Sequence, residues 1–350
     1  TGAHLSPEFG LTYKQIESDG YSIDAKVEML MSSDSAEGIT KSMGVALIAY
    51  ADTLKNLKPD LLVILGDRYE MLALSSAALI FRIPIAHIHG GELTEGAYDD
   101  AIRHSITKMS TLHFTSTETY LKRVIQLGEQ PQRVFNVGAI GLDNFKILNL
   151  FSSEEIQKEL RINFQKYNYL IGFHPETLSD TSVENQFNEL LKSIDMQTNS
   201  FFIFTKANAD TGGRIINRMM EEYVILNPKK AVLFSSLGTL RYLSLLKCVT
   251  AIVGNSSSGI AEAPFAGTAT INIGDRQKGR VMPESIVNCL PKKEHINNAF
   301  ETVKTSKFQK IVQNISNPYG NGNTSKKIID VLKNIDLELI RTKSFYDINQ

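Results

Sequence analysis

Short apolar runs alternate with segments of helical length through most of this 350-residue chain. The apolar run 61–65 is followed by a helical pattern over 69–81, and the run 85–89 by a helical pattern over 98–109. Strands joined by connections of this length are typical of parallel sheets, in which helices cover both faces. The alternation therefore predicts an α/β fold. Further strands are predicted over 112–116, 133–137, 169–173, 201–205, 231–235, 251–253 and 269–273.

The alternation pauses once and then restarts, which predicts two domains. Residues 151–168 are polar, and residues 318–324 form a turn-rich break before a last predicted helix. We expect an N-terminal α/β domain over 1–150, with a C-terminal helix at about 325–345 that packs back on it, and a C-terminal α/β domain over 151–324. Two Rossmann-like parallel-sheet domains that face a cleft suit a nucleotide-linked substrate.

The first residues of the chain resemble a loop rather than the start of a domain. Residues 1–10 lack an initiator methionine and contain no apolar run. Because an α/β domain normally begins with a strand, we expect that a first strand is missing from the sequence. An edge strand is predicted within 21–31, and a helix over 41–56.

Composition and charge exclude several classes of partner. The formal net charge is −1, with 42% hydrophobic and 21% charged residues, so no overall positive field favours nucleic acid or an acidic membrane surface. No apolar run approaches the roughly 18–20 residues that a membrane span needs. Cys248 and Cys289 show no CxxC spacing, which favours buried free thiols in a reducing compartment. We therefore expect a cytoplasmic protein that binds neither nucleic acid nor a membrane.

Asp67 and Arg68 follow the strand predicted over 61–65, at a junction with a helix. In parallel sheets, ligands bind beyond the carboxyl ends of the strands. On position alone, Asp67 is equally well explained as the N-cap of the helix. Arg68 favours a ligand, because a cation at a helix N-terminus opposes the helix dipole unless an anion such as a phosphate lies beside it.

The next predicted strand contains two histidines, His87 and His89, whose side chains point to one face if the strand is regular. With Glu92 they match a two-histidine, one-carboxylate metal site. The alternative is an acid/base residue at the end of the strand, with Gly90 and Gly91 allowing a ligand close to the backbone. A hydrogen-bonded core histidine explains His87 better than it explains His89.

Asp99 and Asp100 begin the following predicted helix, and Asp100 and His104 are neighbours one turn apart. A solvated charged helix face is one explanation of this pattern. The functional alternative is a carboxylate directed at the same pocket as Asp67, so that an acid and a base lie on two sides of a substrate.

The second half of the chain contains a predicted phosphate site. His174 follows the strand over 169–173, and residues 254–259 are glycine, asparagine and serine between a strand and a helix. Such a loop brings backbone N–H groups to a pyrophosphate, although a plain turn is the alternative. There is no GK[ST] and no GxGxxG after a strand, which disfavours a P-loop and NAD. Glu262 is placed to accept ribose hydroxyls, and three cations lie within 276–280.

These motifs together resemble a known family. The chain is similar over essentially its whole length to the bacterial hydrolysing UDP-N-acetylglucosamine 2-epimerases of sialic-acid synthesis. The UDP-N,N'-diacetylbacillosamine enzymes of the legionaminic-acid route share most of the motifs. The motifs are, in chain order, GDRYE, HIHGGE, the YDD, IRH and ITK run, HPET, NADTG, GNSSSG and INIGDRQKGR.

The resemblance implies a GT-B-like fold with UDP in the cleft. It implies an enzyme that converts a UDP-amino-sugar, through a 2-acetamidoglucal intermediate, to N-acetylmannosamine and UDP. It also implies that no metal or other cofactor is needed, and that the protein is a homodimer or homotetramer. The residues alone leave open a glycosyltransferase that uses a UDP-sugar and a non-catalytic UDP-sugar sensor.

The resemblance also implies roles for individual residues. Where the non-hydrolysing and animal relatives have a catalytic glutamate, this chain has His89, and Glu92 is the only carboxylate of that motif. The relatives begin with a strand and a Gly-x-Arg loop that contacts UDP, both lacking here. The implied acid/base set is Asp67, Asp99 and either His89 or Glu92, and the implied UDP-binding residues are Arg68, His174, Ser256, Ser257, Glu262 and Arg276.

Overall fold

The computed structural model describes the chain except for residues 32, 34, 96, 177–180, 208–211 and 349–350. Within this part of the chain, the strands are β1 Leu62–Leu65, β2 Ile85–Ile88, β3 Leu112–Thr115, β4 Val134–Asn136, β5 Tyr167–Gly172, β6 Ser200–Thr205, β7 Ala231–Phe234, β8 Ala251–Gly254, β9 Ala269–Ile273 and β10 Ile286–Cys289. The helices are α1 Tyr13–Ser18, α2 Ala36–Leu57, α3 Tyr69–Ile80, α4 Asp99–Met109, α5 Glu118–Gln126, α6 Asn144–Ile147, α7 Ser153–Leu160, α8 Val183–Asp195, α9 Gly213–Leu226, α10 Gly238–Cys248, α11 Ser258–Ala266, α12 Lys293–Lys304, α13 Ser306–Gln313, α14 Thr324–Asn334 and α15 Leu337–Ile340.

The chain divides into two compact units. Unit 1 comprises Thr1–Thr94, Tyr98–Asp143 and Tyr319–Gln350, and unit 2 comprises Glu95–Ala97 and Asn144–Pro318. The helices α14 and α15 therefore belong to the unit formed by the first part of the chain. Of the helices in the described residues, none is long and apolar enough to cross a membrane.

Unit 1 contains a sheet whose described strands lie in the order β1-β2-β3-β4, all parallel. One face of the sheet, with Ile64 and Ile85, packs against α2 and α3. The other face, with Ala86 and Phe114, packs against residues of α14 and α15. All four residues of β2 are buried, which explains why Ile85, Ala86 and Ile88 are apolar and do not alternate with exposed polar residues.

Residues 21–31 contain no strand among the described positions, so the predicted edge strand is wrong. Val27 and Met29, two positions apart in this segment, are nevertheless buried in the same core cluster as α2. A strand also needs a neighbour that pairs with its backbone, and the side-chain pattern does not report whether one exists.

Unit 2 contains a parallel sheet whose described strands lie in the order β10-β9-β8-β5-β6-β7. Aromatic residues of β5 and β6, among them Tyr169 and Phe202, form one core with α8, α9 and α12. The strand β10 was not predicted; it is short, partly exposed and pairs with β9 at the sheet edge. The predicted α/β fold of two Rossmann-like parallel-sheet domains is confirmed.

Candidate active site

Asp67 lies just past the carboxyl end of β1, after Gly66 turns the chain with a φ of 81°. The N-cap of α3 is Arg68, so Asp67 is not the cap that its position suggested. The Asp67 carboxylate instead forms an ion pair with Arg103 of α4, whose side chain is only 1% exposed. A carboxylate paired with a buried guanidinium has a fixed position and a stabilised negative charge.

Arg103 also fixes the loop that follows β2. Its Nη1 donates to the carbonyl oxygen of Glu92 at 2.8 Å and to the hydroxyl of Thr94 at 2.9 Å. The Asp100 carboxylate accepts the N–H of Thr94 at 2.7 Å and lies 3.8 Å from Arg103. Arg103 was not predicted as a site residue. The sequence signal that could have identified it was a charged residue next to the core positions of the amphipathic helix α4.

His89 and Glu92 form a pair just past β2. His89 Nδ1 lies 2.9 Å from Glu92 Oε1, which also accepts the Ser116 hydroxyl at 2.7 Å. The backbone N–H of Ile140 donates to His89 Nε2 at 3.2 Å, so Nε2 is an acceptor and the ring proton is on Nδ1. His89 has a φ of 68°, in the left-handed region that non-glycine residues rarely adopt, which is typical of functional sites.

His87 is a core residue. It is fully buried, its Nε2 donates to the Gly66 carbonyl oxygen at 2.8 Å, and Nδ1 lies 3.2 Å from the Thr107 hydroxyl. Burial lowers the pKa of His87 to about 3, so its imidazole is neutral. Because β2 ends at Ile88 and His89 leaves the extended conformation, strand alternation does not place the two imidazoles on one face. No group of three or more His, Cys, Asp or Glu side chains in the described parts of the chain could hold a metal ion.

The two remaining predicted residues of unit 1 lie at the starts of helices, Arg68 at the N-cap of α3 and Asp99 in the first turn of α4. Arg68 Nε donates to Glu70 Oε1 at 2.9 Å, so a buried carboxylate accompanies this cation at the start of α3. Asp99 is half-buried at the start of α4, one turn before Arg103. Arg103 thus connects the helix that begins with Asp99 to the carboxylate of Asp67.

In unit 2, Asn255 connects the loops that follow three strands. It accepts the His174 N–H at 2.7 Å through its side-chain oxygen and donates to the His174 carbonyl oxygen at 2.8 Å. Its own carbonyl oxygen accepts Arg276 Nη1 at 3.1 Å and Gln277 Nε2 at 2.8 Å. The predicted residues His174 and Arg276 are therefore held at one edge of the sheet by a residue that was not predicted.

Glu176 organises the loop that carries Arg276. It is 8% exposed, and its Oε1 accepts the backbone N–H groups of Asp275 at 2.8 Å and Arg276 at 3.2 Å. Gly274 has a φ of 78°, and a Cβ there would collide with the Glu176 carboxylate. The glycine is therefore required by both the backbone conformation and the close approach of this side chain.

Ser256 and Ser257 lie between β8 and α11, as predicted, with Ser257 exposed at the N-cap of the helix. Glu262 is half-buried on the same helix. A Cβ on Gly254 would collide with the carbonyl oxygen of Gly172, so the turn after β8 needs glycine. Exposed hydroxyls at a helix N-terminus can bind an anion. Thr177 of the HPET motif and residues 208–211 of the NADTG motif lie outside the described residues.

Comparisons with known proteins agree on one family. A family model described as UDP-N-acetylglucosamine 2-epimerase matches residues 1–333. A relative from Campylobacter jejuni, named GDP/UDP-N,N'-diacetylbacillosamine 2-epimerase (hydrolyzing), is 47% identical over 349 residues, 99% of this chain and 90% of the relative. The polysialic acid biosynthesis protein P7 from Escherichia coli is 41% identical over 353 residues, 99% of this chain and 89% of the relative.

The fold is also that of solved structures. The crystal structure of Methanocaldococcus jannaschii UDP-GlcNAc 2-epimerase, in complex with UDP-GlcNAc and UDP, matches with a TM-score of 0.78 and 20% identity. The match covers 95% of this chain and 90% of that one.

Proposed function

We propose, from the premise that this chain belongs to the UDP-N-acetylglucosamine 2-epimerase family, that it is a hydrolysing 2-epimerase acting on a UDP-amino-sugar in nonulosonate synthesis. The observation that carries the proposal is the 47% identity, over 99% of the chain, to a relative named as a hydrolysing 2-epimerase. With UDP-N-acetylglucosamine, the products are N-acetylmannosamine and UDP.

The proposed reaction has two stages. A base removes the C2 proton while the C1–O bond breaks, which gives UDP and a 2-acetamidoglucal. Water then adds at C1 and a proton at C2, with inverted configuration at C2. The C2 proton is weakly acidic, so the reaction needs a well-placed base and groups that stabilise the charge of the departing diphosphate. No metal or other cofactor is part of the proposal.

We assign proton transfer to Asp67 and Asp99. The fixed position of Asp67 beyond β1 supports this role. Between His89 and Glu92, the contacts favour His89 as the acid/base group and Glu92 as its orienting partner. Glu92 is 2% exposed and engaged by His89 and Ser116. The His89 side chain is 21% exposed, and its Nε2, which accepts the Ile140 N–H in this arrangement, is the basic nitrogen of the ring.

We assign UDP binding to residues at the strand ends of unit 2 and to one cation of unit 1. The exposed Ser257 at the start of α11 and the anchored loops of His174 and Arg276 support this role. Glu262 is assigned to the ribose hydroxyls. The proposed UDP-binding residues are Arg68, His174, Ser256, Ser257, Glu262 and Arg276.

UDP-N,N'-diacetylbacillosamine is the second candidate substrate, because the Campylobacter jejuni relative is named for it. Product analysis with both donors tests the function. We expect free UDP and the 2-epimerised free sugar from one donor, with solvent deuterium at C2, and undiminished activity in a chelator. A stable UDP-linked epimer would contradict hydrolysis, and a product without deuterium at C2 would point to a glycosyltransferase.

Glu176→Ala is expected to weaken UDP binding by about 10-fold, because two backbone N–H groups of the Arg276 loop lose their acceptor. Isothermal titration with UDP measures the change. Glu184→Ala, which removes an exposed carboxylate, is the matched control and should leave the affinity unchanged. Equal affinities for the two variants would show that Glu176 does not organise the UDP site. The predicted homodimer or homotetramer and the cytoplasmic location stay predictions.

A further inference from the structure

We propose that Arg103 is a positioning residue of the epimerase reaction, which holds Asp67 and the loop after β2 in one arrangement. The inference rests on the proposed function, because it concerns the placement of the proposed base. Arg103 comes from α4, whereas its acceptors follow β1 and β2. One side chain therefore connects α4 with the loops that follow β1 and β2.

The chemistry of these contacts requires a guanidinium. Nη2 faces the carboxylate of Asp67, while Nη1 donates to the Glu92 carbonyl oxygen and the Thr94 hydroxyl. The fixed planar fork of arginine sets the angle between these directions, whereas a lysine ammonium is a single flexible point charge. Lysine at this position would keep the charge near Asp67 but would lose the geometry.

The burial of Arg103 also points to a role beyond stability. A 1% exposed cation is costly to desolvate, and a buried ion pair stabilises a fold no better than well-packed apolar residues do. Arg103 lies on the buried face of α4, one turn before the fully buried Ile106. A buried charge at such a position is explained if the position of its partner, Asp67, matters for the reaction.

Arg123 provides a matched control. Its Nη1 donates to the carbonyl oxygen of Gly91 at 2.6 Å, so it holds the same loop after β2 by the same kind of bond. Arg123 also lies over the ring of Tyr120, and within the part of the chain that the structure describes it forms no hydrogen bond or ion pair with Asp67. A role in loop stability is common to Arg103 and Arg123, whereas a role in placing Asp67 belongs to Arg103.

The test compares Arg103→Lys with Arg123→Lys in the full chain. We expect Arg103→Lys to lower kcat by about 100-fold, the effect of misplacing a reacting group by about 1 Å, with little change in KM. The primary isotope effect from substrate deuterated at C2 should rise for Arg103→Lys, because deprotonation becomes slower than the other steps. Arg123→Lys should keep the wild-type isotope effect.

Equal losses of kcat and equal isotope effects in the two variants would overturn the proposal and leave Arg103 as a structural residue. If Arg103→Lys does not fold, Thr94→Val removes only one acceptor of Arg103. An unchanged isotope effect and kcat in that variant would overturn the proposal too. Failure of the proposed function is distinct, because wild-type protein would then release no UDP from either donor.

Discussion

Replacing Asp67 by asparagine is expected to lower kcat by about 1,000-fold, within the range that general acid–base groups contribute. Asparagine has nearly the same shape and keeps an oxygen that can accept from Arg103, but its amide cannot exchange a proton at C2. Since Asp67 lies at the strand end and is not assigned to UDP, UDP affinity should be nearly unchanged. Release of UDP and the isotope effect at C2 measure the loss of the chemical step.

Asp100→Asn is the matched control for this prediction. Asp100 also neighbours Arg103, at 3.8 Å, and its bond to the Thr94 N–H needs only an oxygen, which asparagine retains. Both variants remove one negative charge near the same guanidinium, so the midpoint temperature of thermal unfolding should change in both. A kcat for Asp67→Asn within 10-fold of that for Asp100→Asn would contradict the assignment of Asp67 as a proton-transfer residue.

The sequence predicted well those features that depend on local pattern. The apolar runs located the strands that precede Asp67, His174 and Ser256. For β5 and β8 the run is explained by burial, whereas Val63 and Leu65 of β1 are about half exposed. Because ligands bind beyond the carboxyl ends of parallel strands, the loops that follow these strands were predicted to contain the site residues. The type of each residue and its position after a strand were sufficient to predict it as a candidate site residue.

The partners of these residues could not be predicted in the same way. Arg103 pairs with Asp67 across 36 positions, and Glu176 holds the backbone of Asp275 and Arg276 across 99 and 100 positions. Such pairs depend on how helices and strands are arranged in space, which the local sequence pattern does not determine. The left-handed conformation of His89 also had no sequence signal, so the regular strand expected through His89 was wrong.

A second group of buried charges lies at the opposite end of the same sheet, near the start of β3. Glu129 is 3% exposed and accepts hydrogen bonds from Lys343 at 2.9 Å and from His113 at 3.0 Å, and Lys108 contacts it at 2.5 Å. Burial raises the pKa of Glu129, but the hydrogen bonds from His113 and Lys108 outweigh it and bring the pKa to about 2. Lys343 belongs to the C-terminal segment, which this cluster attaches to the sheet.

Glu129→Ala is therefore expected to destabilise unit 1 by about 3–5 kcal/mol, the cost of removing one partner from a buried ion pair. The variant leaves the buried His113 without its acceptor and two lysines facing each other. Native-state hydrogen exchange of the β3 amides measures the opening free energy of this unit alone. Glu37→Ala, which breaks an exposed pair with Lys41, is the control and should cost about 0.5 kcal/mol or less.

The same cluster predicts the direction of a pH effect. Because the pKa of Glu129 is depressed from 4.5 to about 2 by folding, its contribution is complete above 4.5 and is lost as pH falls towards 2. The difference in opening free energy between wild type and Glu129→Ala should therefore be constant at neutral pH and shrink across that interval. A difference that stays constant down to the acid limit would mean that packing of the side chain, rather than its charge, attaches the C-terminal segment.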